Sequence, residues 1–530
     1  MNDIKSVVSD GEGVIGIELG STRIKAVLVD KDCNPLASGF CEWENRLENG
    51  IWTYSEDDIW NGLAAAYASL KADVKAGCGV TLKKVKAIGI SAMMHGYLAF
   101  DGDDRLLVPF RTWRNATTKE AAEKLSELFK CNIPQRWSIA HLYQAILNDE
   151  PHVKDICSIN TLAGYVSHRL TGTRVLGTGD ASGMFPIDAA AGDYDSRLMK
   201  MFDELTAEKG YPWKLREILP EAVPAGRCAG HLTSEGALLL DPEGDLLPGA
   251  AFAPAEGDAG TGMAATNSVR VRTGNVSAGT SIFGMFVLED DLKGYYPQID
   301  MVTTPDGKPV AMVHANNCTS DINAWVSLFS EFAGMCGFER DSGEIFEMLF
   351  KKAMEGDPDC GGLLSYGFVS GENIMDVAEG RPLFVRSPES NFNLANFMRT
   401  NICTAFGALK VGMDILREEG IKVDSVYGHG GMFKTEGVAQ KLLAAALGAP
   451  VSVMETAGEG GPWGMAILAS YMARGGDGES LADYLSDKVF SSCGSVTEEP
   501  DARDVEGFNR FIERYRAGIG IEKAAISDLI

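Results

Sequence analysis

Basic residues are scarce in this chain: 48 Lys and Arg stand against 74 Asp and Glu over 530 residues, a formal net charge of −26. A field of that sign repels a phosphate backbone, and no cluster of Lys and Arg is dense enough to make a local exception, so nucleic acid is not expected as a partner. Phosphorylated small molecules can still bind where backbone N–H groups, a metal or a few local cations offset the field. Paired cysteines are lacking as well. The 11 cysteines run from Cys33 to Cys493 without a CxxC, and an odd number cannot pair fully within one chain, which points to reduced thiols and a cytoplasmic setting. No stretch of about 18 uninterrupted apolar residues occurs, and the N-terminal MNDIKSVVSDGEG has no apolar core, so neither a membrane helix nor a signal peptide is expected. The 7 histidines include no pair at metal-ligand spacing.

What is present is an ordinary globular composition, 45% hydrophobic and 23% charged, with 60 glycines. The length suits two to four domains, of which two large ones are expected, and the mixed alternation of strand and helix segments indicates α/β layers. In VIGIELGSTRIKAVLVD, alternation of Ile15, Ile17 and Leu19, then of Ile24, Ala26 and Leu28, predicts strand, turn, strand around Gly20-Ser21-Thr22. VRTGNVSAGTSIFGMFVLE repeats that plan around Gly279-Thr280-Ser281. Two such units, one in each half, indicate a duplicated architecture with a boundary near residue 256, giving domains 1–255 and 256–530. Helices are expected in SEDDIWNGLAAAYASLKADVKA, TTKEAAEKLSELFK and GVAQKLLAAALG, the last stopped by Gly448. Strands are expected in KKVKAIGISAM, KVDSVYGHGGMF and PVSVM. A glycine-rich turn at 458–461 leads to a helix near Met465, and the tail beyond about 475 is expected to pack peripherally.

Small, hydroxyl-bearing turns let several backbone N–H groups approach one phosphate, and Thr22, Thr280 and Ser281 can add hydroxyl donors. Taken singly, each turn is an ordinary hairpin; as a pair they indicate a triphosphate site. Glu18, just before the first turn, is placed to hold Mg²⁺, with a surface glutamate as the plain alternative. Asp258, among the small residues of AFAPAEGDAGTGMAATNS, is placed to take a proton from an attacking hydroxyl; an Asx turn is the plain alternative. Glu256 is a second candidate. His95 in SAMMHGY, and Trp113 with Arg114 in FRTWRNA, can offer hydrogen bonds and a stacking face, or can simply be packed. GHGGMFKT is not a Walker loop, because Phe433 stands where glycine is required before Lys434, and it equally breaks a dinucleotide GxGxxG. Gly430 and Gly431 read instead as a flat surface for adenine or ribose.

Together these segments resemble the FGGY carbohydrate kinases, over roughly residues 13 to 475. GIELGSTRIKAVLVD resembles that family's first phosphate motif, SAMMHG its sugar-contacting loop, EGDAGTG its catalytic-aspartate segment and GNVSAGTS its second phosphate motif. YGHGGMFKTEGVAQKLLAAALGAPV with GEGGPWGMAILA resembles its adenosine region. The resemblance implies two ribonuclease H-like domains of the actin and sugar-kinase superfamily around a central cleft, the first binding sugar and the second nucleotide. It makes Asp258 the base, gives Met94, His95, Trp113 and Arg114 to the sugar, and gives Gly20, Ser21, Thr22, Gly279, Thr280, Ser281, Gly430 and Gly431 to ATP. Mg²⁺ would sit at Glu18.

Three positions depart from the family pattern. Glu18 replaces an aspartate, Met93 replaces a glutamine common among xylulose-specific members, and Trp113-Arg114-Asn115 replaces Trp-Asn-Asp, with no matching arginine nearby. The expectation is therefore phosphorylation of a small sugar, such as a ketopentose, by MgATP. The rivals are a kinase for another polyol or sugar acid, and a silent nucleotide-binding member. A homodimer is compatible with either reading.

Overall fold

The computed structural model describes residues 4–338, 340–456, 460–475 and 478–529. Two compact units emerge from it. Among the described residues the first comprises 4–270, 300–310 and 460–492, and the second 271–299, 311–456 and 493–529. All 11 cysteines are free thiols. No described helix is long and apolar enough to cross a membrane.

The first unit is built on a mixed sheet whose centre is Val14–Leu19, antiparallel to Arg23–Val29 and parallel to Ala87–Ala92. Pro35–Glu42 extends one edge, and the short strands Ala251–Phe252 and Gly230–His231 extend the other. The central strand is wrapped on both faces: Val14, Ile15, Ile17 and Leu19 are fully buried. Gly16 is needed there, because a Cβ would lie 2.0 Å from the Pro462 carbonyl oxygen and 2.4 Å from the Ala466 nitrogen. The helix Gly460–Arg474 therefore lies with its backbone against the strand. Its Trp463 indole donates to the Cys33 carbonyl at 2.8 Å. This helix begins five residues before the expected Met465. In the preceding turn, Gly458 and Glu459 lie outside the described residues.

Alternation and capping account for the other helices. Glu56–Cys78 starts at a capping box: Ser55 Oγ accepts from the Asp58 N–H at 3.1 Å, while Asp58 Oδ2 accepts from the Ser55 N–H at 3.0 Å. Lys119–Phe129 follows TTKEAAEKLSELFK.

The second unit repeats the plan. Thr273–Ala278 pairs antiparallel with Ile282–Val287 and parallel with Ser425–His429, which pairs in parallel with Val451–Met454. The helix Val438–Leu447 ends at Gly448 in the left-handed region (φ 65°). The tail is not peripheral. Ser495–Glu498 adds a strand beside Val451–Met454, and the helix Ala502–Ala517 buries Phe508, Phe511, Ile512 and Tyr515. Its apolar residues at i, i+3, i+4 and i+7 form a core-facing stripe, so the segment is part of the unit's core.

Candidate functional site

In the first unit the parallel strands end together, and the loops leaving those ends carry the candidate residues, the usual place for sites on open α/β sheets. Register puts Lys25, Glu18, Ser91 and Glu256 in one row across four strands. Two residues beyond Glu256 in that row, Asp258 opens the helix Asp258–Ala265; it is a helical residue and not an Asx turn. Its Oδ1 accepts from the Met94 N–H at 3.2 Å and the Ala259 N–H at 3.0 Å, and its side chain is exposed to solvent. The protein crowded around the carboxyl pushes its pKa up, and those two N–H groups and the Arg136 charge oppose the rise.

His95 packs against this carboxylate loop. Its backbone lies in the left-handed region (φ 71°), a conformation that costs a non-glycine residue energy and is retained mostly at functional sites. The imidazole Nδ1 lies 3.2 Å from the Gly183 carbonyl oxygen, and the ring stacks on Trp137 with centroids 6.2 Å apart. Met94 and His95 are both buried.

Glu18 is half-buried, not a surface residue, and stands over Gly461, where a Cβ would lie 2.2 Å from its Oε1. Loss of solvent, reinforced by the Asp258 charge and opposed by Lys25, pushes its carboxyl up to about 7. No described residue donates a hydrogen bond to it. A lone undonated carboxyl fits one ligand of Mg²⁺, which takes its other oxygens from water and phosphate. Among the described residues no group of three or more His, Cys, Asp and Glu forms a cation cage.

The turn Gly20-Ser21-Thr22 has its carbonyls tied back to protein. Trp43 Nε1 donates to the Gly20 oxygen at 2.6 Å, the Tyr54 hydroxyl to the Ser21 oxygen at 2.7 Å, and the Trp43 N–H to the Thr22 oxygen at 3.2 Å. Lone pairs that would repel an anion thus point inward, and the side chains of Ser21 and Thr22 are exposed.

Three loops converge in the second unit. The Gly279 N–H donates to the Ser281 oxygen at 2.9 Å, closing the turn. Thr319, first residue of the helix Thr319–Met335, donates from Oγ1 to the Gly279 oxygen at 2.8 Å, and the Cys318 N–H donates to the Thr280 oxygen at 3.0 Å. Gly430 (φ 101°) lies so close that a Cβ would meet the Ala278 oxygen at 2.5 Å, while Gly431 faces open space. Thr280, Gly430 and Gly431 are exposed. Backbone N–H groups, hydroxyls and a helix N-terminus at one place suit an anion.

Trp113 and Arg114 lie in a turn fixed elsewhere. Arg114 covers the Trp52 ring at 3.9 Å and donates to Asn45 Oδ1 at 3.3 Å, while Trp113 is 41% exposed. Asn115 anchors the segment to the Trp52 backbone.

Sequence reasoning missed Arg136, Trp137 and Asp180. Arg136 pairs with Asp300, which also accepts from Asn132 Nδ2 at 2.6 Å. Its carbonyl accepts from the Gly96 N–H at 3.1 Å. Arg136 also brings a positive charge near Asp258. Asp180 is fully buried, with Oδ2 bonded to the Thr161 hydroxyl at 2.7 Å and no partner for Oδ1 among the described residues. Buried Glu256 likewise keeps Oε2 unpartnered. No local spacing announces these residues, because their partners are far off in the chain.

The chain belongs to the FGGY family of carbohydrate kinases: the family's N-terminal domain matches residues 13–241 and its C-terminal domain residues 274–473. It is therefore an enzyme, a carbohydrate kinase of an ATP-using family. It is 22% identical over 514 residues to the xylulose kinase of Haemophilus influenzae, covering 94% of this chain and 98% of that one. A ligand-bound xylulose kinase from Lactobacillus acidophilus superposes with a TM-score of 0.78 at 16% identity, over 98% of this chain and 99% of that one. A gluconate kinase from the same organism superposes with a TM-score of 0.77 at 16% identity, over 98% and 99%. These likenesses establish the fold, two α/β domains of the actin and sugar-kinase type.

Proposed function

We propose that this kinase transfers the γ-phosphoryl group of ATP to a hydroxyl of a ketopentose such as xylulose. The observation that carries the reading is Asp258. Its carboxyl is fixed at one oxygen by the Met94 and Ala259 N–H groups and open to solvent, beside the buried Met94-His95 loop. A carboxylate so placed can take the proton of a sugar hydroxyl as it attacks phosphorus, a role worth about 10²- to 10⁴-fold. Met94 and His95 bound the sugar, and Trp137 fixes the imidazole plane by stacking.

The nucleotide reading rests on the three second-unit loops. Gly279, Thr280 and Ser281 serve phosphate oxygens, and Gly430 with Gly431 serves the nucleoside. In the first unit Gly20, Ser21 and Thr22 present donors to phosphate. Mg²⁺, when bound, would be held by Glu18 and would neutralise phosphate charge. In this reading Trp113 and Arg114 border the sugar, Arg114 being held over the Trp52 ring. In domain terms, the first unit, which extends past the expected boundary at 255 to include Asp258, would carry the sugar site, and the second unit the nucleoside site.

ADP release with MgATP across ketopentoses, polyols and sugar acids tests the reading, run beside Asp258→Asn. Turnover with a ketopentose, reduced at least about 100-fold in the variant, is expected. Turnover confined to a sugar acid would replace the substrate, and an unimpaired variant would remove Asp258 as base.

A further inference from the structure

Glu372, in the second unit, is fully buried, and no Lys or Arg pairs with it among the described residues. A carboxyl taken out of water without a cation persists only where hydrogen-bond donors gather on it. The donors here come mainly from one loop. Glu372 Oε2 accepts from the Asn316 N–H at 2.9 Å and from Asn317 Nδ2 at 3.1 Å, while Oε1 has no partner among the described residues.

The segment that carries Glu372 is itself pinned. The Glu372 N–H donates to the Val377 oxygen at 2.7 Å, and the Val377 N–H returns to the Glu372 oxygen at 3.1 Å. A Cβ on Gly371 would meet the Ala378 oxygen at 2.3 Å. The segment grips Asn316 and Asn317 along its length: Asn317 Oδ1 accepts from the Val369 and Ser370 N–H groups at 2.9 and 3.0 Å, and Asn316 Nδ2 donates to the Gly371 oxygen at 2.8 Å. The next two residues, Cys318 and Thr319, are the ones that hold the Thr280 and Gly279 carbonyls.

We propose that Glu372 is a positioning residue for the nucleotide: by collecting the donors of Asn316 and Asn317 it fixes the loop that holds the Gly279-Thr280-Ser281 turn in shape for phosphate. This rests on the nucleotide reading of the second unit. Being buried, the carboxyl acts only through the loop. A turn carbonyl released from Cys318 or Thr319 is free to swing its lone pairs toward an anion and oppose it. One oxygen, Oε2, does the holding, so a glutamine can replace the glutamate, its NH₂ taking the Oε1 position where no described donor stands.

Calorimetric titration of the full chain with MgADP tests this without a sugar. Glu372→Ala should raise the ADP dissociation constant by about 10-fold, and Glu372→Gln should leave it within about twofold of the parent. Glu522→Ala removes another fully buried carboxyl of the same unit, one that accepts from the Arg381 N–H at 2.7 Å. It should lower the thermal midpoint without weakening ADP. Thr280→Glu sets a charge in the turn and reports on the nucleotide reading itself, with a loss of about 10-fold or more expected. Should Glu372→Ala not fold, Asn317→Ala cuts the same tie from its other end and carries the same expectation. Parent-like ADP binding by folded Glu372→Ala or Asn317→Ala, a Glu372→Gln as weak as the alanine variant, or an equal loss in Glu522→Ala overturns the proposal. A parent that binds no ADP, or a Thr280→Glu that binds it as the parent does, overturns the nucleotide reading and the proposal with it.

Discussion

Asp180 and Glu256 show what a buried carboxyl costs when few donors reach it. Asp180 has one hydroxyl partner, and burial together with the nearby Asp258 charge pushes its pKa up to about 7. Glu256 is pushed up as well, by burial first and then by Asp180, and it sits against Gly177, Gly179 and Gly260, which leave room for it. In the unfolded chain an aspartate loses its proton near pH 4, so between about pH 4 and 7 folded Asp180 holds a proton the unfolded form has lost, and stability falls as pH rises. Asp180→Asn removes that dependence. Its stability relative to the parent should improve by about 2 kcal/mol between pH 5 and pH 8, read from denaturant unfolding at the two pH values. A constant offset at both would mean that Asp180 stays ionised.

At the scale of elements, stability rests on starts and close contacts. Ser55→Ala removes half of the capping box on Glu56–Cys78 and should cost about 1 kcal/mol, seen as a lowered thermal midpoint. Gly16→Ala must push Gly460–Arg474 off the sheet against backbone atoms, and a loss above about 3 kcal/mol, with little soluble protein, is expected. Gly520→Ala, in a helix where a Cβ meets open space, should gain up to about 1 kcal/mol by the same assay. Both hairpins were legible because alternation of period two is a local signal: Ile15, Ile17 and Leu19 announce their strand unaided. The Ala502–Ala517 helix carried a readable stripe too, and its core position was lost by treating the tail as an appendage. The row Lys25, Glu18, Ser91, Glu256 was not legible, since register between distant strands leaves no local trace. Arg136 and Trp137 were hidden for the same reason: Ser138 meets the Gly96 carbonyl at 2.6 Å across 42 residues of sequence. Asp258 could be singled out as a candidate because small residues around a lone acid are themselves a local pattern.

At the scale of the whole molecule, the charge of −26 opposes compactness everywhere at once. Added salt screens it, so raising NaCl from about 10 to 150 mM should lift the thermal midpoint by a few degrees. An unchanged midpoint would mean that local ion pairs, which salt weakens, balance the global term. The path of the chain has a further consequence. The first unit contributes residues up to 270, yet the helix that covers Gly16 and Gly89 comes from Gly460–Arg474. A ribosome adding 5 to 20 residues per second needs roughly 10 to 40 s to make the stretch between. Throughout that interval the nascent first unit has its central strands bare on one side, so its fold cannot be completed until the chain through Arg474 has been made.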